Sequence, residues 1–220
     1  MILTTHIKKY IKKNKNVNLI LSGGNSPLKY YRLLSKEKLN WEKINFFFID
    51  ERNVDINSKY SNFKKINKIF KKNILQHKLK PLNKKFLSEK LLNKKIFLLK
   101  KYKTISIIGM GNDGHYASIF SNSKKFKKLI NINLKPNILS TEKIGNPKVK
   151  RFTMNLSMIL LSSKIFLILN NQKKIILFKK AIKFNNEKIY PIYSLIKKAK
   201  NRILIFDGKR LKKIKDFSLH

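Results

Sequence analysis

The chain is expected to fold as an α/β protein, a three-layer α/β/α arrangement around a mostly parallel, Rossmann-like sheet. Two observations carry that expectation. Apolar β-type runs recur along the chain, and several are continuous rather than alternating, as strands buried on both faces must be. Between them lie segments whose apolar residues stand three and four apart, the spacing of one helix face. A third observation locates the functional end. The stretches SGGNSP, DERN and GMGNDGH each follow a predicted strand directly, and in open α/β sheets ligands bind outside the carboxyl ends of the strands.

The predicted strands run over 17–22 (VNLILS), 44–50 (INFFFID), 104–110 (TISIIGM), 148–155 (KVKRFTMN), 164–170 (KIFLILN) and 202–207 (RILIFD). Helical spacing links Tyr30, Leu33 and Leu34; Phe63, Ile66, Ile69 and Phe70; Leu87, Leu91, Leu92 and Phe97; and Ile175, Phe178 and Ile182. Strands alternating with helices imply crossover connections and a parallel sheet. No internal repeat and no Pro/Gly/Ser-rich linker divides the 220 residues, so one domain spanning 1–220 is expected.

Composition narrows the function classes. Fifty-two Lys and Arg against 11 Asp and Glu give a formal charge of +41, which invites nucleic acid through counterion release. Only five of the basic residues are Arg, at 32, 52, 151, 202 and 210, and base reading leans on the planar fork that Arg alone supplies. The lysines are scattered over almost every predicted helix, with no basic stripe interleaved with exposed aromatics. Lys, Asn and Ile are inflated together, which reads as drift at tolerant surface positions, and no specific nucleic-acid partner is expected. The absence of cysteine excludes disulfides, thiolate zinc sites and a thiol nucleophile. Acids and histidines never cluster at ligand spacing, so neither a metal nor any other cofactor is expected. No apolar run approaches the roughly 18 residues of a membrane span, and no export signal opens the chain. A cytoplasmic protein without a membrane partner is expected, its oligomeric state open with a monomer favoured.

Three loops carry candidate chemistry. In LSGGNSPLKYY a strand meets Ser22, Gly23 and Gly24, and Asn25, Ser26 and Pro27 open an amphipathic helix. Ser26 is the expected cap and Pro27 suits the first turn. Free backbone N–H groups there make an anion cradle, against the alternative of an ordinary strand-to-helix turn. In FFFIDERN, Asp50, Glu51 and Arg52 stand just past a buried strand. Arg52 offers a planar fork to phosphate or carboxylate; the plainer alternative is a solvated loop with a local ion pair. In GMGNDGHYASIF, three glycines at 109, 111 and 114 bracket Asp113 and lead into His115. A neutral imidazole, with an ordinary pKa of about 6.5, can take a proton from water near neutrality, and Asp113 is placed to orient it or a substrate hydroxyl. The plainer alternative is a capping Asp beside a loop His. His6, His77 and His220 sit in lysine-rich or terminal surroundings and suggest no chemistry.

With the loops in this order, the sequence resembles the 6-phosphogluconolactonase family. LSGGNSP is similar to its S-G-G-S-T-P loop, FFFIDERNV to its strand and D-E-R, YSNF at 60–63 to its S-N element, and KVKRFTMNLSMI to its R-I-T-L segment. GMGNDGHYASIF is similar to G-M-G-x-D-G-H-T-A-S-L-F, the most specific of the set, and RILIFDG resembles a strand near the family's C-terminus. The match runs over about residues 17 to 208. It implies a fold shared with glucosamine-6-phosphate deaminases and ribose-5-phosphate isomerases, and cofactor-free hydrolysis of 6-phospho-D-glucono-1,5-lactone. By position, it makes His115 the base, with Asp113 at the reacting end. It makes Ser22, Gly23, Gly24, Asn25 and Ser26 the phosphate cradle, with Arg52 and either Lys173 or Lys174 closing the clamp. Asp50, Asn62 and Arg151 are carried over as further substrate contacts, and Lys174 is the preferred lysine.

Departures from the pattern raise further expectations. NNQKK stands where the family has G-x-x-K, so Asn170 or Asn171 replaces the glycine. Tyr116 replaces a small Thr and is expected to narrow the pocket. About 20 residues precede the glycine loop where relatives carry more, so one sheet edge is expected to be shortened or differently covered. The rival readings are a glucosamine-6-phosphate deaminase or isomerase, whose motif continues after G-H with a glutamate, and a basic nucleic-acid-binding protein. Here YASIFSN follows, with no acid between His115 and Glu142.

Overall fold

The computed structural model describes residues 2–14, 16–73, 79–83 and 88–217; His77, Leu87 and His220 lie outside them. Five strands, β1 (Val17–Leu21), β2 (Ile44–Phe48), β4 (Lys103–Gly109), β7 (Lys164–Ile168) and β8 (Ile203–Phe206), pair in parallel in the order β2-β1-β4-β7-β8. A short β9 (Leu211–Lys212) is added antiparallel at one edge. Counted along the chain, the parallel strands lie 2-1-3-4-5, so their order reverses between β1 and β4, and that switch point is where a doubly wound sheet opens a ligand crevice.

All five residues of β1 are buried. Successive strand side chains point to opposite faces, so the sheet is covered on both sides. The helices are α1 (Ile2–Lys13), α2 (Asn25–Leu34), α3 (Asn62–Phe70), α4 (Glu89–Lys101), α5 (Phe126–Ile130), α6 (Leu156–Ile159), α7 (Gln172–Phe184) and α8 (Ile192–Ala199). Their apolar stripes face inward: Leu3, Ile7 and Ile11 of α1 are buried at a spacing of four, as are Ile66 and Phe70 of α3. Local chemistry sets the boundaries. Ser61 caps α3 by accepting from the Lys64 N–H at 3.1 Å, and Asn171 caps α7 by accepting from the Lys174 N–H at 3.0 Å. Asn185 ends α7 in the left-handed conformation, φ 53°.

A second sheet, antiparallel in the order β3-β6-β5, is made of β3 (Asp50–Arg52), β6 (Arg151–Met154) and β5 (Ile138–Ser140). Ile49 joins it to the main sheet, donating to Leu21 O at 3.0 Å and accepting from the Met154 N–H at 2.9 Å. The expected strand over 44–50 therefore ends at Phe48, and DER is a strand of the second sheet rather than a solvated loop. The strand expected over 148–155 shortens to Arg151–Met154. Among the described residues the main sheet is bounded by β2 and β9, with no strand outside β2. The helix carrying Leu91, Leu92 and Phe97 is present, but Phe97 is 58% exposed and does not belong to its inner face.

Candidate active site

At the carboxyl ends of β1 and β4 lies a cleft of about 770 Å³. Of the residues singled out above, Ser22, Gly23, Gly24, Asn25, Ser26, Asp50, Arg52, Asn62, Asp113, His115, Arg151 and Lys174 line it, whereas Glu51 and Lys173 do not. These lining positions span 153 residues of sequence, and the parallel crossovers and the antiparallel pairing of β3 with β6 bring them together.

On one side is the start of α2. Ser22 is held by Tyr31, whose hydroxyl both accepts from the Ser22 N–H and donates to its carbonyl, each at 3.1 Å. Ser22 Oγ accepts from the Gly109 N–H at 3.1 Å, binding the β1 loop to the β4 loop. Gly23 has no room for a side chain, since a Cβ there would stand 1.9 Å from Asn62 Cγ. Ser26 does not cap α2; Gly24 occupies the N-cap, with no side-chain bond. The Ser26 hydroxyl instead accepts from Lys174 Nζ at 2.7 Å and donates to Asn170 Oδ1 at 3.1 Å. The first backbone N–H groups of α2 have no intrahelical acceptors, and the helix N-terminus adds partial positive charge.

Lys174 comes from the first turn of α7, where Asn171 is the cap. Lys173 is not among the residues lining the cleft. Burial holds the Lys174 ammonium below the ordinary lysine range, a cost that a bound anion would offset. Across the cleft, Arg52 Nη1 donates to Tyr60 O at 2.8 Å. Arg151 is 2% exposed; its Nε donates to Ile144 O and its Nη2 to Pro147 O, both at 3.0 Å. Burial lowers the Arg151 guanidinium, and nearby Asp50 works against that shift. Asp50 accepts from Ser118 Oγ at 2.6 Å and Asn62 Nδ2 at 3.4 Å.

The β4 loop carries the titratable pair. Asp113 Oδ1 and His115 Nδ1 lie 2.5 Å apart, and Asp113 Oδ1 also accepts from the His115 N–H at 3.2 Å. Burial alone would raise the Asp113 carboxyl, but the hydrogen bond and charge of His115 hold it below the ordinary range. An ionised carboxylate only accepts, so the contact requires a proton on Nδ1, and in the neutral form of the ring Nε2 is then the nitrogen with the lone pair. The His115 ring stacks on Phe120, centroids 4.1 Å apart. Gly111 must be glycine, because a Cβ would fall 2.1 Å from His115 Nδ1. Tyr116 does not narrow the cleft. Its side chain is fully buried and its hydroxyl meets Ser194 Oγ at 2.8 Å, which with the Ile192 N–H bonding Gly114 O at 2.9 Å pins this loop to α8.

Sequence reasoning missed Phe120, Asn122, Gly145 and Asn146, which also line the cleft. Phe120 stands inside the GMGNDGHYASIF motif already noticed; the other three fall where composition marks nothing.

A switch-point cleft with three cations, two carboxylates and an Asp-oriented histidine defines an α/β/α protein built to handle a small anionic ligand. The chain belongs to the family of glucosamine-6-phosphate isomerases and 6-phosphogluconolactonases, whose model matches residues 2–205. It is 29% identical over 184 residues to the 6-phosphogluconolactonase of Thermotoga maritima, covering 79% of this chain and 78% of that one. It is 28% identical over 218 residues to that of Helicobacter pylori strain 26695, covering 94% and 92%. The crystal structure of a 6-phosphogluconolactonase from Shewanella baltica OS155 shares the fold, with a TM-score of 0.76, 22% identity, and coverage of 93% of this chain and 90% of that one.

Proposed function

We propose that this protein hydrolyses 6-phospho-D-glucono-1,5-lactone to 6-phosphogluconate, the lactonase step of the oxidative pentose phosphate pathway. The observation that carries the chemistry is the Asp113–His115 pair on a glycine-rich loop across from an anion-ready helix start. With Nδ1 held by Asp113, His115 Nε2 takes a proton from water as the water oxygen attacks C1 of the lactone. The carbonyl becomes a tetrahedral oxyanion. Its collapse breaks the bond from C1 to the ring oxygen, the imidazolium returns the proton to that leaving oxygen, and the new carboxylic acid ionises. The phosphate, bound by the α2 N-terminus, Lys174 and Arg52, fixes C1 relative to the base and makes the attack effectively intramolecular. Water and side chains suffice for every step, so no cofactor enters. We read the protein as one cytoplasmic domain whose oligomeric state is open with a monomer favoured. Among the described residues no helix is long and apolar enough to cross a membrane.

The deaminase reading is less well supported. The acids lining the cleft are Asp50 and Asp113, and Glu142, the first glutamate after His115, lies outside it, accepting from the Lys124 N–H at 2.8 Å. The test is the loss of fresh lactone under catalytic protein, corrected for spontaneous hydrolysis, with His115→Ala in parallel. Turnover abolished in the variant is expected; no rate above background from folded parent protein would overturn the assignment.

A further inference from the structure

We propose that Glu51 is a positioning residue for substrate binding, its carboxylate tying β3 to the start of α3 and so presenting Arg52 and Asn62 to the cleft. The inference rests on the phosphate-clamp reading above and deepens it. Glu51 is 4% exposed and does not itself line the cleft. Its Oε1 accepts from the backbone N–H of Arg52 at 2.7 Å and of Asn62 at 2.8 Å. Its Oε2 accepts from the Phe63 N–H at 2.7 Å, with Ser61 Oγ at 3.5 Å. Two of the three residues whose amides it holds are cleft residues, reached from opposite ends of the nine-residue excursion between β3 and α3.

One reading of the sequence, the plainer alternative for Asp50, Glu51 and Arg52, is a solvated loop with a local ion pair. Among the described residues Glu51 makes no such pair. Arg52 Nη1 is spent on Tyr60 O, and what Glu51 holds is main chain. Its negative charge sits at the N-terminus of the nine-residue α3, where the helix dipole favours it. Burial nevertheless pushes the carboxyl above its ordinary range, with the Asn62, Phe63 and Arg52 amides opposing that shift. Among the described residues no cation bonds this carboxylate directly, Lys65 and Arg151 acting on it only at longer range, and a buried charge so placed costs folding free energy unless its hydrogen bonds compensate. A carboxylate is the one side chain of this size that offers two oxygens to converging donors; an amide offers one and turns a donor on the rest.

The positioned groups keep capacity for a ligand. Arg52 Nε and Asn62 Oδ1 are buried without a partner among the described residues. Asn62 is anchored by its Nδ2, which donates to Asp50 O at 3.0 Å, and its amide packs on Gly23 so closely that any side chain there would collide. Displacing the α3 start therefore moves Asn62, the Gly23 loop and Arg52 together, all at the phosphate end and none at His115.

The experiment compares Glu51→Gln and Glu51→Asp with the parent and with Ile203→Val, a buried control in β8 remote from the cleft. Steady-state lactone hydrolysis is measured beside a titration of inorganic phosphate followed by backbone-amide NMR shifts. For Glu51→Gln, KM and the phosphate Kd are expected to rise together by about tenfold, from losing one or two buried hydrogen bonds, while kcat changes by less than about threefold. Glu51→Asp keeps the charge and is expected to recover most of the affinity; should Glu51→Gln fail to fold, a KM and Kd raised by at least about twofold in the Asp variant sustains the proposal. The proposal is overturned if KM and Kd stay at parental values in the folded variants, if kcat falls with KM unchanged, or if Ile203→Val shifts KM equally. If the parent hydrolyses no lactone, the functional reading fails, and the phosphate Kd of the variants still decides the role of Glu51.

Discussion

Replacing Asp113 by Asn tests the heart of the proposed chemistry. The Asp113–His115 contact at 2.5 Å is a charge-assisted hydrogen bond, a class that contributes about 1.5–3 kcal/mol when sheltered from water. Here the Asp113 side chain is 60% exposed and that of His115 29%, so solvent screening brings the bond to roughly 1 kcal/mol, about fivefold in rate. A second effect adds to it. The Asn amide can donate to Nδ1 and hold the imidazole with its proton on Nε2, the nitrogen that must accept from water. In a buried serine-protease triad that misassignment costs about 10⁴-fold; in this half-open site the ring can turn or exchange its proton through solvent. The expected outcome is a kcat lowered by about 10- to 100-fold with KM within twofold, because Asp113 stands apart from the Lys174 and Ser26 clamp. The assay is initial-rate lactone loss at neutral pH, with circular dichroism to establish folding. A kcat within twofold of the parent would refute the orienting role. Loss as complete as that of His115→Ala would show that Asp113 transfers the proton itself.

Further outcomes follow from the same geometry. Lys174→Met should raise KM about tenfold or more, since it removes a partly desolvated cation from an anion site, whereas Lys173→Met should leave it within twofold; equal effects in steady-state kinetics would undo the choice of Lys174 over Lys173. Gly111→Ala forces a methyl to 2.1 Å from His115 Nδ1 and 2.6 Å from Asp113 Oδ1, an overpacking that costs roughly 1–3 kcal/mol. Its kcat should fall at least about tenfold, and a crystal structure should show the imidazole displaced. Asp207 tests stability alone. Burial would raise its carboxyl, but the Arg210 and Lys209 amides and the Lys212 ammonium, at 2.7 Å, hold it at about 2. A folded-state value below the unfolded one near 3.9 means that its stabilisation is present above pH 4 and is lost as the pH falls towards 2. Asp207→Asn should therefore lose up to about 2 kcal/mol in urea unfolding at pH 7, with the gap to the parent shrunk to roughly a third at pH 2.5 and closing only below pH 2; a constant gap would refute it.

The chain itself determined the strands of the main sheet and the three loops at their ends. The largely apolar runs predicted at 17–22, 44–50, 104–110 and 164–170 contain the observed strands Val17–Leu21, Ile44–Phe48 and Lys164–Ile168 and all but the first residue of Lys103–Gly109, and such runs have few alternatives to burial on both faces. Glycine at 23 and 111 is a local necessity legible as composition, even though the neighbours that forbid a side chain, Asn62 and the His115 ring, are not. What only the tertiary structure decided involves partners far apart in sequence. DER can be read as a solvated loop just past a buried strand until β6, about a hundred residues later, pairs with it, because an edge strand three residues long has no periodicity of its own. Tyr116 looks like an obstruction until α8 supplies Ser194 and draws the ring into the core. Ser26 looks like a helix cap because capping is a local preference; Lys174 and Asn170, arriving from another crossover, compete for the same hydroxyl and win. Glu51 is the sharpest instance. Its neighbour in sequence is an arginine, which suggests an ion pair, but burial makes backbone amides the donors it must satisfy, and those are fixed only when α3 folds back onto β3.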